Sequence, residues 1–274
     1  MPEPPADETA FSYDLIADVY DDDMGRNVGS ADIDFYVERC ASARDEPVLE
    51  LGCGTGRITL PLVTSGRTVV GVDRSAAMLE RLRAKADAVL TPAQRARVDW
   101  RRADMADCDL GMRFARVLCP YSAFTYLVDD ERRARALDNV RRQLGPRGLF
   151  VLDVFVPDAR VRTLPAEHVF FDYRRRLGDG TELERTKQVR CESADVNVIT
   201  RHYAFFDGGG AVRKRITTVD RIRVYQPDEL RRVLEQHGFD VIETLADFRP
   251  QLCAPETKMA AFVCRAAESG RSAS

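Results

Sequence analysis

Apolar positions along the chain follow two rhythms. Up to residue 158, and again from 226, short apolar runs alternate with stretches whose apolar residues recur every three or four positions, the pattern of strands feeding helices. Residues 48–51, 68–73, 97–104, 113–122 and 148–158 predict five strands. Between them, residues 75–90, with Ser75 as N-cap, and 129–144 predict helices, and Thr91-Pro92 opens a short helical connector. Strands separated by helices of this length pair in parallel through right-handed crossovers, so the fold class is α/β, a doubly wound sheet. Two helical stretches come first: one carries Phe11, Leu15 and Val19 at helical spacing, the other covers 32–41.

The rhythm changes after Pro165. Alternating stretches there are joined by a Gly178-Asp179-Gly180 turn and by Asp207 followed by three glycines, which predicts an antiparallel β insert of about four strands. A helix returns over 226–239, with Pro227 in its first turn, Gly238 at its end and His237 as a capping cation. Strands at 240–248 and 258–265 close the sheet. The expected division is an N-terminal helical lid segment (1–44, loose over its first eight residues), a core (45–160 and 226–266), the insert (165–225) and a flexible tail (267–274).

Composition narrows the partner. The formal charge is only −3, and lysine occurs only at 85, 187, 214 and 258, so no basic field argues for nucleic acid. No apolar run approaches the ~20 residues of a membrane span and no leader pattern opens the chain, which gives a cytoplasmic reading. The seven cysteines form no C-x-x-C pair; they read as buried thiols, not as metal ligands or disulfides.

The chemistry concentrates at "PVLELGCGTGRITLPL", residues 47–62. Gly52, Gly54 and Gly56 make a strand-to-helix turn that lets backbone approach a ligand. A dinucleotide fingerprint would need glycine at 57, where the chain has Arg57. Asp73 ends the next strand, where a carboxylate can accept both hydroxyls of a ribose. Asp104 ends the third, placed to accept from an adenine amino group while the Met105 N–H reaches a ring nitrogen. Three strand ends thus converge on one crevice suited to an adenosine without a diphosphate.

"VLELGCGTGR", "GVDRS" and "ADM", in this order, resemble the binding motifs of class I S-adenosyl-L-methionine-dependent methyltransferases over residues 45–155. The resemblance implies a Rossmann-like seven-stranded sheet, S-adenosylmethionine as cofactor and S-adenosylhomocysteine as product. It implies that Glu50 holds the methionine amino end, that Gly52 and Gly54 pass beside the methionine part, and that Asp73 takes the ribose. Asp104 and Met105 take the adenine, and the stretch from Cys119 through Tyr121 to Ser122 lines the methyl group. Arg74 and Met78, just past Asp73, complete the expected cofactor-binding set, although Met78 and Met105 also read as packing side chains. The "YDLIADVYDDDM" segment and the insert are similar to bacterial N-methyltransferases of amino sugars and peptide-derived antibiotics.

One departure bears on mechanism. Tyr126 stands where the amino-sugar relatives would carry a histidine, and a tyrosine with pKa near 10 is a poor base at neutral pH. Tyr126, Tyr20 and Tyr13 are the catalytic candidates, with His168 and His202 behind them. The expected reaction is methyl transfer to a small molecule, by preference to an amine nitrogen. An oxygen or carbon acceptor, a non-catalytic binding protein and a nicotinamide oxidoreductase are the alternatives. Arg213, Arg215, Arg221 and Arg223 share one strand face, either as a substrate clamp or as a solvated surface. Phe170, Phe171, Phe205 and Phe206 supply apolar surface for an expected homodimer.

Overall fold

The computed structural model describes residues 9–24, 29–43 and 46–267; the loose start and nearly all of the tail lie outside them. Three helices come first: α1 (Thr9–Ile16), α2 (Tyr20–Met24) and α3 (Ala31–Arg39). The core then runs β1 (Val48–Leu51), α4 (Thr59–Thr64), β2 (Val69–Asp73), α5 (Ala76–Val89), α6 (Pro92–Arg95), β3 (Val98–Arg102), β4 (Phe114–Cys119), α7 (Asp130–Gln143) and β5 (Leu144–Phe155). The insert supplies β6 (Phe170–Arg176), β7 (Glu182–Cys191), β8 (Val196–Phe206) and β9 (Val212–Arg223). After it come α8 (Pro227–Gln236), β10 (Phe239–Ala246) and β11 (Met259–Ala266).

One sheet has the order β10-β11-β5-β4-β1-β2-β3. β1 through β5 pair in parallel, and β11 runs antiparallel to both its neighbours. Every residue of β1 is buried, which is why this strand is apolar but for Glu50: helices cover both faces of the sheet. Phe114, Phe150, Phe239 and Phe262 pack on one face, and Tyr36, Ile58, Leu62 and Val263 on the other. Strand order reverses at β1, between β4 and β2, so the connections leaving β1 and β4 diverge and open a crevice.

The expected caps form. Ser75 accepts from Met78 N at 3.1 Å, Thr91 and Gln94 make a reciprocal capping box, and His237 ends α8 with Nδ1 2.8 Å from the Val233 carbonyl. β4 stops three residues earlier than expected, at Cys119, because Pro120 is followed by Tyr121 and Ser122 in the left-handed region (φ 53° and 59°). The predicted N-terminal helical stretch is broken: α1 ends at Ile16 and α2 restarts at Tyr20, which brings the Tyr13 and Tyr20 rings to 5.8 Å. Leu15 faces solvent, while Ser12, Ile16 and Ala17 turn inward.

The four insert strands form a separate antiparallel sheet in the order β6-β7-β8-β9, hinged at the predicted glycine turns. Its phenylalanines do not form one exposed face. Phe205 is buried with Ile16, Leu183 and Tyr203 under the N-terminal segment, the Arg174 guanidinium covers the Phe206 ring, and Phe171 stays 64% exposed. Among the described residues no helix is long and apolar enough to cross a membrane, and all seven cysteines are free.

Arg57, which stands where a dinucleotide site needs glycine, holds the N-terminal segment instead. It donates to both carboxylate oxygens of Asp32 (2.9 and 2.8 Å) and to the Gly29 carbonyl (2.6 Å). Gly56 has φ +82°, and a Cβ there would lie 2.2 Å from Leu82 Cδ1 of α5. Gly56→Ala therefore combines left-handed strain with overpacking and is expected to cost about 2–4 kcal/mol in urea unfolding, with an unchanged slope.

Candidate active site

The crevice holds a cavity of about 740 Å³, its open mouth included, at the carboxyl ends of β1, β2 and β4. Its floor is the glycine turn. A Cβ on Gly52 would meet Ala123 Cβ at 2.8 Å, so only bare backbone leaves the gap between the β1 and β4 turns open. Both Gly52 and Gly54 line it. Asp73 stands at the end of β2, with Oδ2 accepting from Gly54 N (2.8 Å) and Oδ1 from Ser75 N (2.9 Å). These bonds oppose the burial that raises its pKa, and each oxygen keeps a lone pair for a ligand hydroxyl. Val72, Met78, Ala103 and Met105 give an apolar slot beside it. A carboxylate next to an apolar slot and a bare backbone floor fits a nucleoside with a short chain.

Arg74, Met78, Met105 and Tyr121 line the cavity as expected, and so do all three candidate tyrosines, Tyr13, Tyr20 and Tyr126. Glu50, Asp104 and Cys119 do not. Glu50 is 1% exposed and turns toward α4, where Thr59 Oγ1 donates to it at 2.6 Å. The Asp104 carboxylate is taken by Arg132 (2.6 Å), Arg74 (3.5 Å) and Ala106 N (2.9 Å), so its neighbours Ala103 and Met105 form the wall. Cys119 is fully buried inside β4, and the wall there is Pro120 and Tyr121.

A second cavity, about 1450 Å³ with its mouth, lies between the core and the insert sheet. Tyr13, Tyr121 and Tyr126 line both cavities and so form the junction. The Tyr13 and Tyr126 hydroxyls share a hydrogen bond of 2.5 Å. Burial pushes Tyr13, Tyr20 and Tyr126 well above the ordinary phenol range and Tyr121 up to about 12. All four are protonated at neutral pH, hydrogen-bond partners and not bases. Neither cavity has a histidine among its described lining residues: His202 faces Thr217, and His168 packs on Phe170.

The cavity's cations are Arg185, Lys187, Arg201 and Arg223, so the predicted stripe contributes one member. Arg213 and Arg221 are held by Asp207 and Glu192, and Arg215 is exposed. On β9 positions 218 and 220 are buried, which leaves the rest of the stripe on the solvated side.

Residues 48–148 match the methyltransferase domain family. Glycine/sarcosine N-methyltransferase of Halorhodospira halochloris is 26% identical over 220 residues, 79% of this chain and 74% of its own. The dTDP-3-amino-3,6-dideoxy-alpha-D-glucopyranose N,N-dimethyltransferase of Streptomyces fradiae is 32% identical over 147 residues, 53% of this chain and 52% of its own. Among solved structures, the CcbJ methyltransferase of Streptomyces caelestis superposes with TM-score 0.77 and 29% identity, over 95% of this chain and 99% of that one. The methyltransferase domain and these methyltransferase relatives support an S-adenosylmethionine-dependent methyltransferase enzyme.

Sequence reasoning missed one residue that shapes this methyltransferase's site. Asp153, fully buried in β5, accepts from Tyr36 Oη (2.6 Å), Tyr121 N (2.8 Å) and Ser122 N (2.9 Å) and so holds the left-handed turn after β4. An acid inside the apolar run "FVLDVF" was the available signal.

Glu50 gives this methyltransferase a pH signature. Burial raises its pKa to about 8 from an ordinary 4.5, against the Thr59 hydrogen bond. Its contribution to stability is complete below its unfolded pKa and is lost as pH rises through about 8. Glu50→Gln keeps an acceptor for Thr59 and has no charge to bury. Thermal unfolding should show the wild type losing on the order of 2 kcal/mol more than this variant between pH 6 and pH 9.

Proposed function

We propose that this enzyme methylates an amine nitrogen of a small molecule: a secondary metabolite, an amino sugar or a peptide-derived compound. The observation that carries the reading is the junction of protonated tyrosines between the two cavities. An alcohol or carbon nucleophile has to be deprotonated as it attacks, and the junction offers no strong base. A free amine brings its own lone pair, so the protein needs only to align it. The relatives' names support this, since a glycine/sarcosine and an amino-sugar N-methyltransferase are among them.

In this reading Asp73 takes the ribose hydroxyls, Met78 and Met105 sandwich the adenine, and Gly52 and Gly54 pass beside the methionine part. Glu50 supports the floor from behind, and Asp104 orients Arg74. The bound cofactor supplies a methyl carbon activated by a sulfonium. Bound there, it would give that methyl carbon to the amine lone pair and keep the C–S electrons as the thioether product, and the methylated ammonium would give its extra proton to water. Tyr13, Tyr20 and Tyr126 hold the nitrogen and exclude water. Unpaired cysteines suit a reducing, cytoplasmic setting. A homodimer belongs to the same reading, and a mass of one chain by light scattering at micromolar concentration would remove it.

Asp73→Ala is expected to weaken S-adenosylhomocysteine by about 1.5–3 kcal/mol in calorimetry of the folded variant. Tyr126→Phe should lower kcat by roughly ten- to a hundredfold without moving the pH profile, the scale of one lost orienting hydrogen bond. The acceptor atom is read by mass spectrometry after turnover on matched amines and alcohols. N-methyl products are expected, and O-methyl products from the alcohols at equal rate would overturn the amine assignment.

A further inference from the structure

The inward face of the insert sheet carries an ion pair that the reading above does not use. β8 and β9 set Ile199 opposite Asp220 and Arg201 opposite Thr218, so Arg201 and Asp220 are diagonal neighbours on one face. Their charged groups are in contact; Asp220 is 2% exposed and the Arg201 side chain 14%. Ser12 Oγ donates to the Val219 carbonyl at 3.2 Å, which seats α1 on β9 one residue before Asp220 and brings Tyr13, one residue after Ser12, beside the pair. Tyr13 in turn holds Tyr126 at 2.5 Å, and Tyr13, Tyr126 and Arg201 all line the second cavity. The other ion pairs of the cavity's arginines have different work: Arg185 joins the buried Asp23 and Asp172, and Arg223 joins the exposed Asp130 and the half-buried Asp195.

We propose that the Arg201–Asp220 pair is a positioning element for the Tyr13–Tyr126 hydroxyls, and that its cancelled charges set the electrostatic balance at the acceptor amine, keeping it in its free-amine form. The groups that face these hydroxyls are Tyr20 from α2 and the pair itself; Arg57 and Asp73 lie beyond, on the side of Tyr20. With both charges present the junction is neutral, and an amine enters without gaining or losing preference for its ammonium form. Without Asp220 the buried guanidinium is uncompensated, which favours tyrosinate and disfavours ammonium. Without Arg201 the carboxylate does the reverse. The pairing also fastens α1, so the same two residues hold the tyrosines in place.

The proposal rests on the amine reading for its kinetic arm and is independent of it for its spectroscopic arm. On the full-length chain, tyrosinate absorbance is titrated for wild type, Asp220→Asn and Asp220→Asn/Tyr126→Phe. The expected result is one tyrosine in Asp220→Asn that ionises at least one pH unit earlier than in the wild type, and its loss in the double variant. An unchanged titration in a folded Asp220→Asn protein overturns the proposal. In the kinetic arm, the acid limb of kcat for a methylated amine, which reports the enzyme–substrate complex, moves down by at least one unit in Asp220→Asn and up in Arg201→Gln. Shifts of the same sign overturn it, because a merely structural pair has no reason to give opposite signs. If Asp220→Asn does not fold, Arg201→Lys keeps the charge and loses the planar fork. Its expected result is a pH profile within about 0.3 unit of the wild type with kcat lowered about tenfold, and a displaced profile overturns the proposal. The expected absorbance change together with O-methyl products would refute the amine reading alone.

Discussion

Asp153 is the carboxylate on which both cavities depend. It sits near the carboxyl end of β5 with no exposure, and burial lifts its pKa to about 6 against the three donors that face it. Two of those donors are the successive N–H groups of Tyr121 and Ser122, which bulky or polar L-residues present in this way only with both φ angles positive. Charge-assisted bonds offset that backbone cost. Phe155 N then donates to Ser122 Oγ at 2.7 Å, and the chain continues through a 3₁₀ turn that delivers Tyr126 to the junction. The strand stops where it does, and the wall of both cavities lies where it does, because of one buried acid.

A second set of carboxylates joins the parts. Asp14 accepts from Ser75 Oγ and Ala77 N (3.3 Å) at the start of α5, and Asp21 accepts from Thr55 (2.6 Å) and Lys85 (2.9 Å) beside the glycine turn. Asp23, fully buried, accepts from Arg185 (2.6 Å), Tyr203 (3.0 Å) and Tyr173 in the insert sheet. The acidic N-terminal segment is therefore a strap between the core and the insert, and the second cavity exists in the space it spans. A strap fastened at charged points on both sides, with Ile16 packed on Leu183, Tyr203 and Phe205, carries Tyr13 and Tyr20 over the first cavity. Tyrosines enclosed in this way stay neutral, which suits a site that aligns a nucleophile already possessing its lone pair.

By itself, the sequence determined the alternation of strands and helices, the four insert strands with their glycine turns, the caps at Ser75, Thr91 and His237, and the crevice at the strand ends lined by Gly52, Gly54, Asp73 and Met105. All of these follow from local rules: apolar periodicity, positive φ at glycine, and side chains that bond backbone two or three residues away. Tertiary structure alone decided which polar groups reach the cavities. Glu50 and Asp104 stand at the right strand ends, yet Thr59 and Arg132 claim their carboxylates. The arginine stripe on β9 faces outward but for Arg223, because side chains alternate along a strand and the buried positions of β9 are 218 and 220. The partnerships of Asp153 with the β4 turn, Asp23 with Arg185 and Arg201 with Asp220 join residues distant in the chain. The physical reason is that a buried charge is stable only beside its partner, and when the partner lies on another element no local pattern records where it is.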